Sequence, residues 1–243
     1  MRMQVALFGL ALSAVVGTSC DVNVGPGELV QGSGTVKTEA RDVRGFDSVE
    51  VAGTGTLVIT QGDSEHLTIS AEDNVLPKLS SEVVNGRLEL HPQSNTQLNT
   101  TQPVRYMLTV KQLKDIRLAG AGDVQASSLD ADQLDIALAG SGNTSIARLT
   151  AKTLTVTVSG SGTATIAGQA TQQNVTISGS GRYRAADLQS RRASIQINGS
   201  GDCAVSVADS LNVTIAGSGN VTYVGTPIVN QTIVGSGRVS KAG

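Results

Sequence analysis

The chain has 243 residues, of which 28 are Gly, 2 are Cys and none is Trp, long enough for one large or two small domains with a sizeable core. An apolar fraction of 39% excludes a disordered chain, and an aromatic share of 2% requires that the core be thin and aliphatic. A formal net charge of −2 excludes a general nucleic-acid binder, whose phosphate contacts need a basic surface.

Met1 to Gln4 carries one positive charge, on Arg2. Val5 to Gly17 is apolar apart from Ser13, and Gly17, Thr18 and Ser19 lead to Cys20. This charged, apolar and small-residue order is that of a bacterial export signal over residues 1–19, and its apolar part is too short to span a bilayer as a stable helix. Bacterial lipoproteins resemble it in the cysteine and the small residues before it, with Gly17 standing where Leu is usual. The resemblance implies that Cys20 receives a diacylglycerol thioether and becomes the mature N-terminus; ordinary cleavage near Ser19 is the alternative. Residues 20–40 then read as lipid anchor and tether, loosened by Gly25-Pro26-Gly27. With Cys20 carrying lipid, Cys203 has no disulfide partner. The expected location is the bacterial cell envelope, in periplasm or outer membrane, with the membrane as a partner through Cys20. After residue 20 no run is apolar over the 18 residues that a spanning helix needs.

Residues 41–110 read as an irregular N-terminal β region. Val49 and Val51 precede Gly53-Thr54-Gly55, and Leu57 and Ile59 follow it, which predicts one strand-corner-strand coil over residues 43–61. Beyond Gln61 the register is lost. Leu67–Ile69, Leu88–Leu90 and Val104–Val110 read as strands, Asn85-Gly86 as a hairpin turn, and residues 91–103 as an exposed loop with two Pro and many Asn, Gln and Thr.

From residue 111 to 243 the chain repeats. Gly-Ser-Gly or Gly-Ala-Gly starts at Gly120, Gly140, Gly160, Gly179, Gly199, Gly217 and Gly235, at intervals of 18 to 20 residues. Two residues before each first Gly stand Leu118, Leu138, Val158, Ile177, Ile197, Ile215 and Ile233. Four before stand Ile116, Ile136, Val156, Val175, Ile195, Val213 and Gln231, of which only the last is not aliphatic. The residues between are Arg, Ala, Thr or Gln, so each repeat opens with a strand buried on one face and wet on the other. A second, weaker strand with smaller inward residues follows each corner. One such coil cannot bury its own aliphatic face, whereas coils stacked in parallel at about 4.8 Å line these residues into interior ladders. No repeat has room for a crossover helix, which excludes a doubly wound α/β fold. The predicted fold is all-β: a parallel β-helix, or solenoid, with coils of about 19 residues, right-handed by the general crossover preference.

Arg44-Gly45-Phe46, Val49-Glu50-Val51, Val58-Ile59-Thr60-Gln61-Gly62-Asp63, Leu88-Glu89-Leu90 and the serial Gly-Ser-Gly strands together resemble the head GIN domain family of auto-transporter adhesins, over residues 40–225. The resemblance implies an exported β-helical domain of bacterial envelopes. No catalytic residues come with it.

Asp115 and Asp135 fall in one outward column of adjacent coils, where a carboxylate pair could bind Ca²⁺ or share a proton as in a polysaccharide-active enzyme; the plainer reading is a solvated edge neutralised by Lys114 and Arg117. Asp130 and Asp132 lie in the next connection and could join them only through loop shape. Asp123 and Asp202 share a column four coils apart. His66 and His91 lack neighbours at metal-ligand spacing, and no cofactor or metal is expected. Cys203 falls in an inward column as a small hydrophobe. Arg182, Arg184, Arg191 and Arg192 form the one basic cluster, read as a solvated rim. Thr157, Thr176, Thr214 and Thr232, with Asn174 and Asn212, form an outward hydroxyl and amide ladder able to dock an envelope protein or glycan, or even ice; alternatively, Thr simply suits an exposed sheet face. The expected function is a non-catalytic, adhesin-like envelope module that binds such a partner or assembles with a second copy of itself. An enzyme using Asp115 and Asp135 is the alternative.

Overall fold

The computed structural model describes residues 27–242. The predicted export signal 1–19 and Cys20 lie outside the described residues. Among these residues no helix is long and apolar enough to cross a membrane.

The strands are β1 (Glu28–Gln31), β2 (Val36–Arg41), β3 (Ser48–Gly53), β4 (Thr56–Gln61), β5 (His66–Glu72), β6 (Leu79–Val84), β7 (Arg87–Pro92), β8 (Thr96–Asn99) and β9 (Arg105–Val110). One 3-10 turn, Leu76–Lys78, precedes β6. The stack continues with β10 (Asp115–Gly120), β11 (Asp123–Ala126), β12 (Leu129–Gly140), β13 (Asn143–Gly160), β14 (Thr163–Gly179), β15 (Arg182–Gly199), β16 (Asp202–Gly217), β17 (Asn220–Val224), β18 (Ile228–Gly235) and β19 (Arg238–Lys241). Along one side β7, β3, β10, β12, β13, β14, β15, β16 and β18 run parallel in that order. After the glycine corner β9, β4 and β11 begin a second parallel ladder, which runs through the opening halves of β13 to β16 and ends in β17 and β19. The result is the predicted all-β solenoid of stacked parallel strands.

The corners hold this register. Gly53, Gly120, Gly140, Gly160, Gly179, Gly199, Gly217 and Gly235 stand directly above one another. Gly179 has φ +116°, and a Cβ there would sit 2.7 Å from the Gly160 carbonyl oxygen one coil below, so conformation and stacking both demand glycine. That oxygen is in use, accepting a bond of 2.9 Å from the Ser180 N–H. The 18- to 20-residue intervals are absorbed elsewhere, after the second strand, where register slips between Ile146 and Leu149, between Thr165 and Gly168, and between Ala185 and Gln189.

The predicted inward columns are interior: the residues two and four before each glycine are buried from Leu118 to Ile215, and Ile233 is half-buried. Gln231 is exposed. A further inward column, Leu134, Leu154, Gln173, Ala193 and Leu211, lies six before the corner. Within it the buried Gln173 accepts a 2.8 Å bond from the Tyr183 hydroxyl, which removes the cost of leaving either group unpaired. Tyr183 occupies a column whose neighbours are Ala164 and Cys203, while Gly168 stands between the buried Leu149 and Leu188 in another column.

Between β4 and β10 the chain turns back beneath its own first coil. β7 and β9 extend the two ladders one step below β3 and β4, antiparallel β6 and β5 flank them, and β2 adds to β5. Asn85-Gly86, both at positive φ, makes the expected tight hairpin. Two expectations differ. Residues 91–103, predicted as a loop, carry β8, and the described part of the tether predicted over 20–40 carries β1 and β2. β1 pairs with β8 in parallel, and both are short and largely exposed; besides the backbone ladder, the buried Val30, the half-buried Leu98 and the Asn99–Gln31 side-chain bond hold them, and no apolar alternation announces them.

Candidate functional site

The outward side of the first ladder is built by the same register that fills the core. Its central column reads Glu50, Arg117, Ala137, Thr157, Thr176, Gln196, Thr214, Thr232, and the column beside it reads Asp115, Asp135, Thr155, Asn174, Ser194, Asn212, Asn230. The four predicted threonines therefore share one column with Gln196 among them, and Asn174 and Asn212 share the next with Ser194 between. Thr214, Thr232 and Asn212 are exposed; Thr157, Thr176 and Asn174 are half-exposed. Amides set each other's orientation: Gln172 donates to Asn174 at 3.0 Å and Asn230 to Asn212 at 3.1 Å. Such a surface offers paired donors and acceptors at the strand spacing of about 4.8 Å.

Asp115 and Asp135 are register partners at the lower end of this face. Each already has a local donor, Arg117 Nε at 3.0 Å and Gln133 Nε2 at 2.9 Å. They open on a groove of about 720 Å³ lined also by Gln61, Lys111, Lys114, Asp130 and Asp132, so the connection does bring Asp130 and Asp132 alongside. Gln61, which the sequence did not single out, fixes the groove wall: its side-chain oxygen accepts from Asp130 N–H at 2.7 Å while its amide donates to the Asp130 and Lys111 carbonyls at 3.0 and 3.1 Å. Lys114 reaches away to Asp47 at 2.7 Å, and that hydrogen bond holds the Asp47 carboxyl below its ordinary value. Lys152 pairs with Asp132 at 2.7 Å. Among the described residues no three His, Cys, Asp or Glu side chains come together as metal ligands.

Asp123 and Asp202 are separated by Asn143, Thr163 and Arg182 in their column, and each accepts from an asparagine one coil on, Asn143 at 2.9 Å and Asn220 at 3.1 Å. The four arginines diverge: Arg182 and Arg184 lie on the second ladder, Arg192 on the first beside Gln172 and Ser210, and Arg191 binds Asp209 at 2.9 Å. His66 contacts Thr68 and His91 the Pro92 carbonyl. Cys203 is buried, and burial pushes its thiol well above the ordinary value, away from reactivity.

Glu72 is the group that sequence reasoning missed most completely. It is buried and accepts from Thr101 Oγ1 at 2.6 Å, Thr101 N–H at 3.0 Å and Gly34 N–H at 2.7 Å. The Thr101 hydroxyl above all, against the opposing effect of burial, holds its carboxyl below the usual range. It clamps the N-terminal segment to the cap. Its partners lie about 30 residues or more away, so no local spacing announces it.

The fold has solved counterparts. A "putative adhesin" from Bacteroides fragilis NCTC 9343 superposes with a TM-score of 0.82 at 24% identity, covering 88% of this chain and 100% of that one. A "putative lipid binding protein" from Parabacteroides distasonis ATCC 8503 gives 0.76 at 23%, covering 89% and 100%. A "putative adhesin" from Parabacteroides merdae ATCC 43184 gives 0.72 at 23%, with the same coverage. At these identities the likeness is one of fold. No curated protein matches the sequence. The family model described as "Putative auto-transporter adhesin, head GIN domain" matches residues 45–227, which takes in the lower coil, the glycine corners from Gly53 to Gly217 and the outward ladder up to Thr214, and the chain belongs to that family.

Proposed function

We propose that this protein is a non-catalytic component of the bacterial cell envelope, exported by residues 1–19, anchored through lipid on Cys20, and binding an envelope protein or glycan through the face that carries Thr157, Thr176, Asn174, Thr214, Asn212 and Thr232. One observation carries the reading: the register holds hydroxyls and amides of coil after coil in straight outward columns, a surface that matches a partner with its own regularly spaced polar groups. The family description, with its word adhesin, supports it, as does the local pairing of Asp115 and Asp135, each with a neighbour on its own strand.

Two experiments test it. Binding of the full chain to arrays of envelope glycans and envelope proteins should yield a ligand, and Thr176→Lys with Thr214→Lys should weaken it at least about tenfold at unchanged fold, because buried contacts lose their hydrogen bonds. Absence of any ligand contradicts the function, and unchanged affinity contradicts the face. Cys20→Ser should abolish incorporation of labelled fatty acid and release the protein from membranes; labelling that persists contradicts the anchor.

A further inference from the structure

The two ends of the stack are finished differently. At the lower end the outer strands are β6, which lies on β7 and carries Glu82, and β2, which lies on β5 and carries Lys37, Glu39 and Arg41, charges of the kind that block further strand pairing. At the upper end β18 pairs with β16 and β19 with β17, each on one side only among the described residues. Val224 to Gly237 contains no charged side chain. Ile228 and Val234 are 73% and 70% exposed. Val229, Ile233 and Val239 are only half-buried, whereas Leu211, Ile215 and Val221, their register partners one coil below, are fully buried. Among the described residues the upper end therefore lacks the cover that one more layer of strand supplies to the coils below.

We propose that a second copy of this chain supplies it, β18 meeting β18 around a two-fold axis. An uncharged edge meets its own image without repulsion, and a two-fold contact needs only a self-complementary patch. β18 supplies both halves of that patch, a row of backbone donors and acceptors without partners among the described residues, and Val229 and Ile233, which continue two of the interior columns on either side of Gln231. β19 carries Arg238 and Lys241, which places the axis on β18. The pairing involves the strand of Thr232 but leaves Thr157, Thr176 and Thr214 uncovered, so the Thr176 and Thr214 variants test ligand binding separately from it.

The test is the mass of the full chain in mild detergent, followed by sedimentation across concentration. The wild type passes from monomer to dimer. Ile228→Lys with Val234→Lys stays monomeric, since both side chains already face solvent and like charges would meet across the axis, while Gln125→Lys, on an exposed site away from the edge, dimerises as the wild type does. Thermal melting verifies that the variants are folded; should the double variant melt early, Val234→Lys alone carries the same comparison. A monomer at every concentration, an open-ended assembly, or a dimer that the double variant retains overturns the proposal.

Discussion

Ile195 and Thr176 are near neighbours with opposite surroundings: Ile195 stacks on Val175 in the interior, while Thr176 faces out. Ile195→Asp places an unpaired carboxylate among aliphatic side chains and should cost about 3–5 kcal/mol or unfold the protein, whereas Thr176→Asp should stay within about 0.5 kcal/mol. Urea denaturation measures both, and equal effects would contradict the assignment of faces. Tyr183→Phe strands the buried Gln173 oxygen and should cost about 1–3 kcal/mol. Adding Gln173→Leu should recover most of that loss, giving a coupling in the double-mutant cycle; strict additivity would contradict the pair. Inward positions two and four before each corner were legible because period-two burial repeats at every coil. Gln173 was not, since a polar residue in an interior column gains its sense only from Tyr183, which stands over the small Ala164 of the coil below.

At the scale of elements, the glycine corner is the most sharply specified feature. Gly179→Ala adds a Cβ 2.7 Å from a carbonyl oxygen at φ +116° and should cost about 2 kcal/mol or more, while the exposed Ser180→Ala should be near neutral; melting temperatures separate them. The cap depends on pH through Glu72. Its carboxyl is held below its ordinary value in the folded state, so the stabilisation is complete above the unfolded value and is lost as pH falls through the folded one. The protection factors of the Gly34 and Thr101 amides, corrected for intrinsic exchange, should fall as the solution is acidified through that window, and Glu72→Gln should lower them at neutral pH and flatten the response. Protection independent of pH in the wild type would contradict the clamp. The strands β5, β7 and β9 could be read from apolar alternation in Leu67–Ile69, Leu88–Leu90 and Val104–Val110. β1, β2 and β8 could not, because they are short or polar edge strands fixed by partners far along the chain.

At the scale of the molecule, few aromatics implied an aliphatic interior, and among the described residues Phe46, Tyr106 and Tyr183 are the aromatic side chains buried in it. The columns of the candidate face were legible because they follow from the repeat length alone. The groove beside Asp115 and Asp135 was not, because it depends on Gln61 and on a connection whose shape no periodicity encodes. That β3 lies between β7 and β10 also escaped the sequence, since the insertion returns beneath a coil already laid down. The central claim, one straight and evenly stepped ladder from the first coil to the last, is tested most directly by the distance between spin labels at Glu50 and Thr232. These positions are joined by seven register steps through Arg117, Ala137, Thr157, Thr176, Gln196 and Thr214. Pulsed electron resonance should give one narrow distribution centred near a backbone separation of about 34 Å at about 4.8 Å per step. A broad distribution, or one centred below about 20 Å, would contradict the ladder and the face built on it.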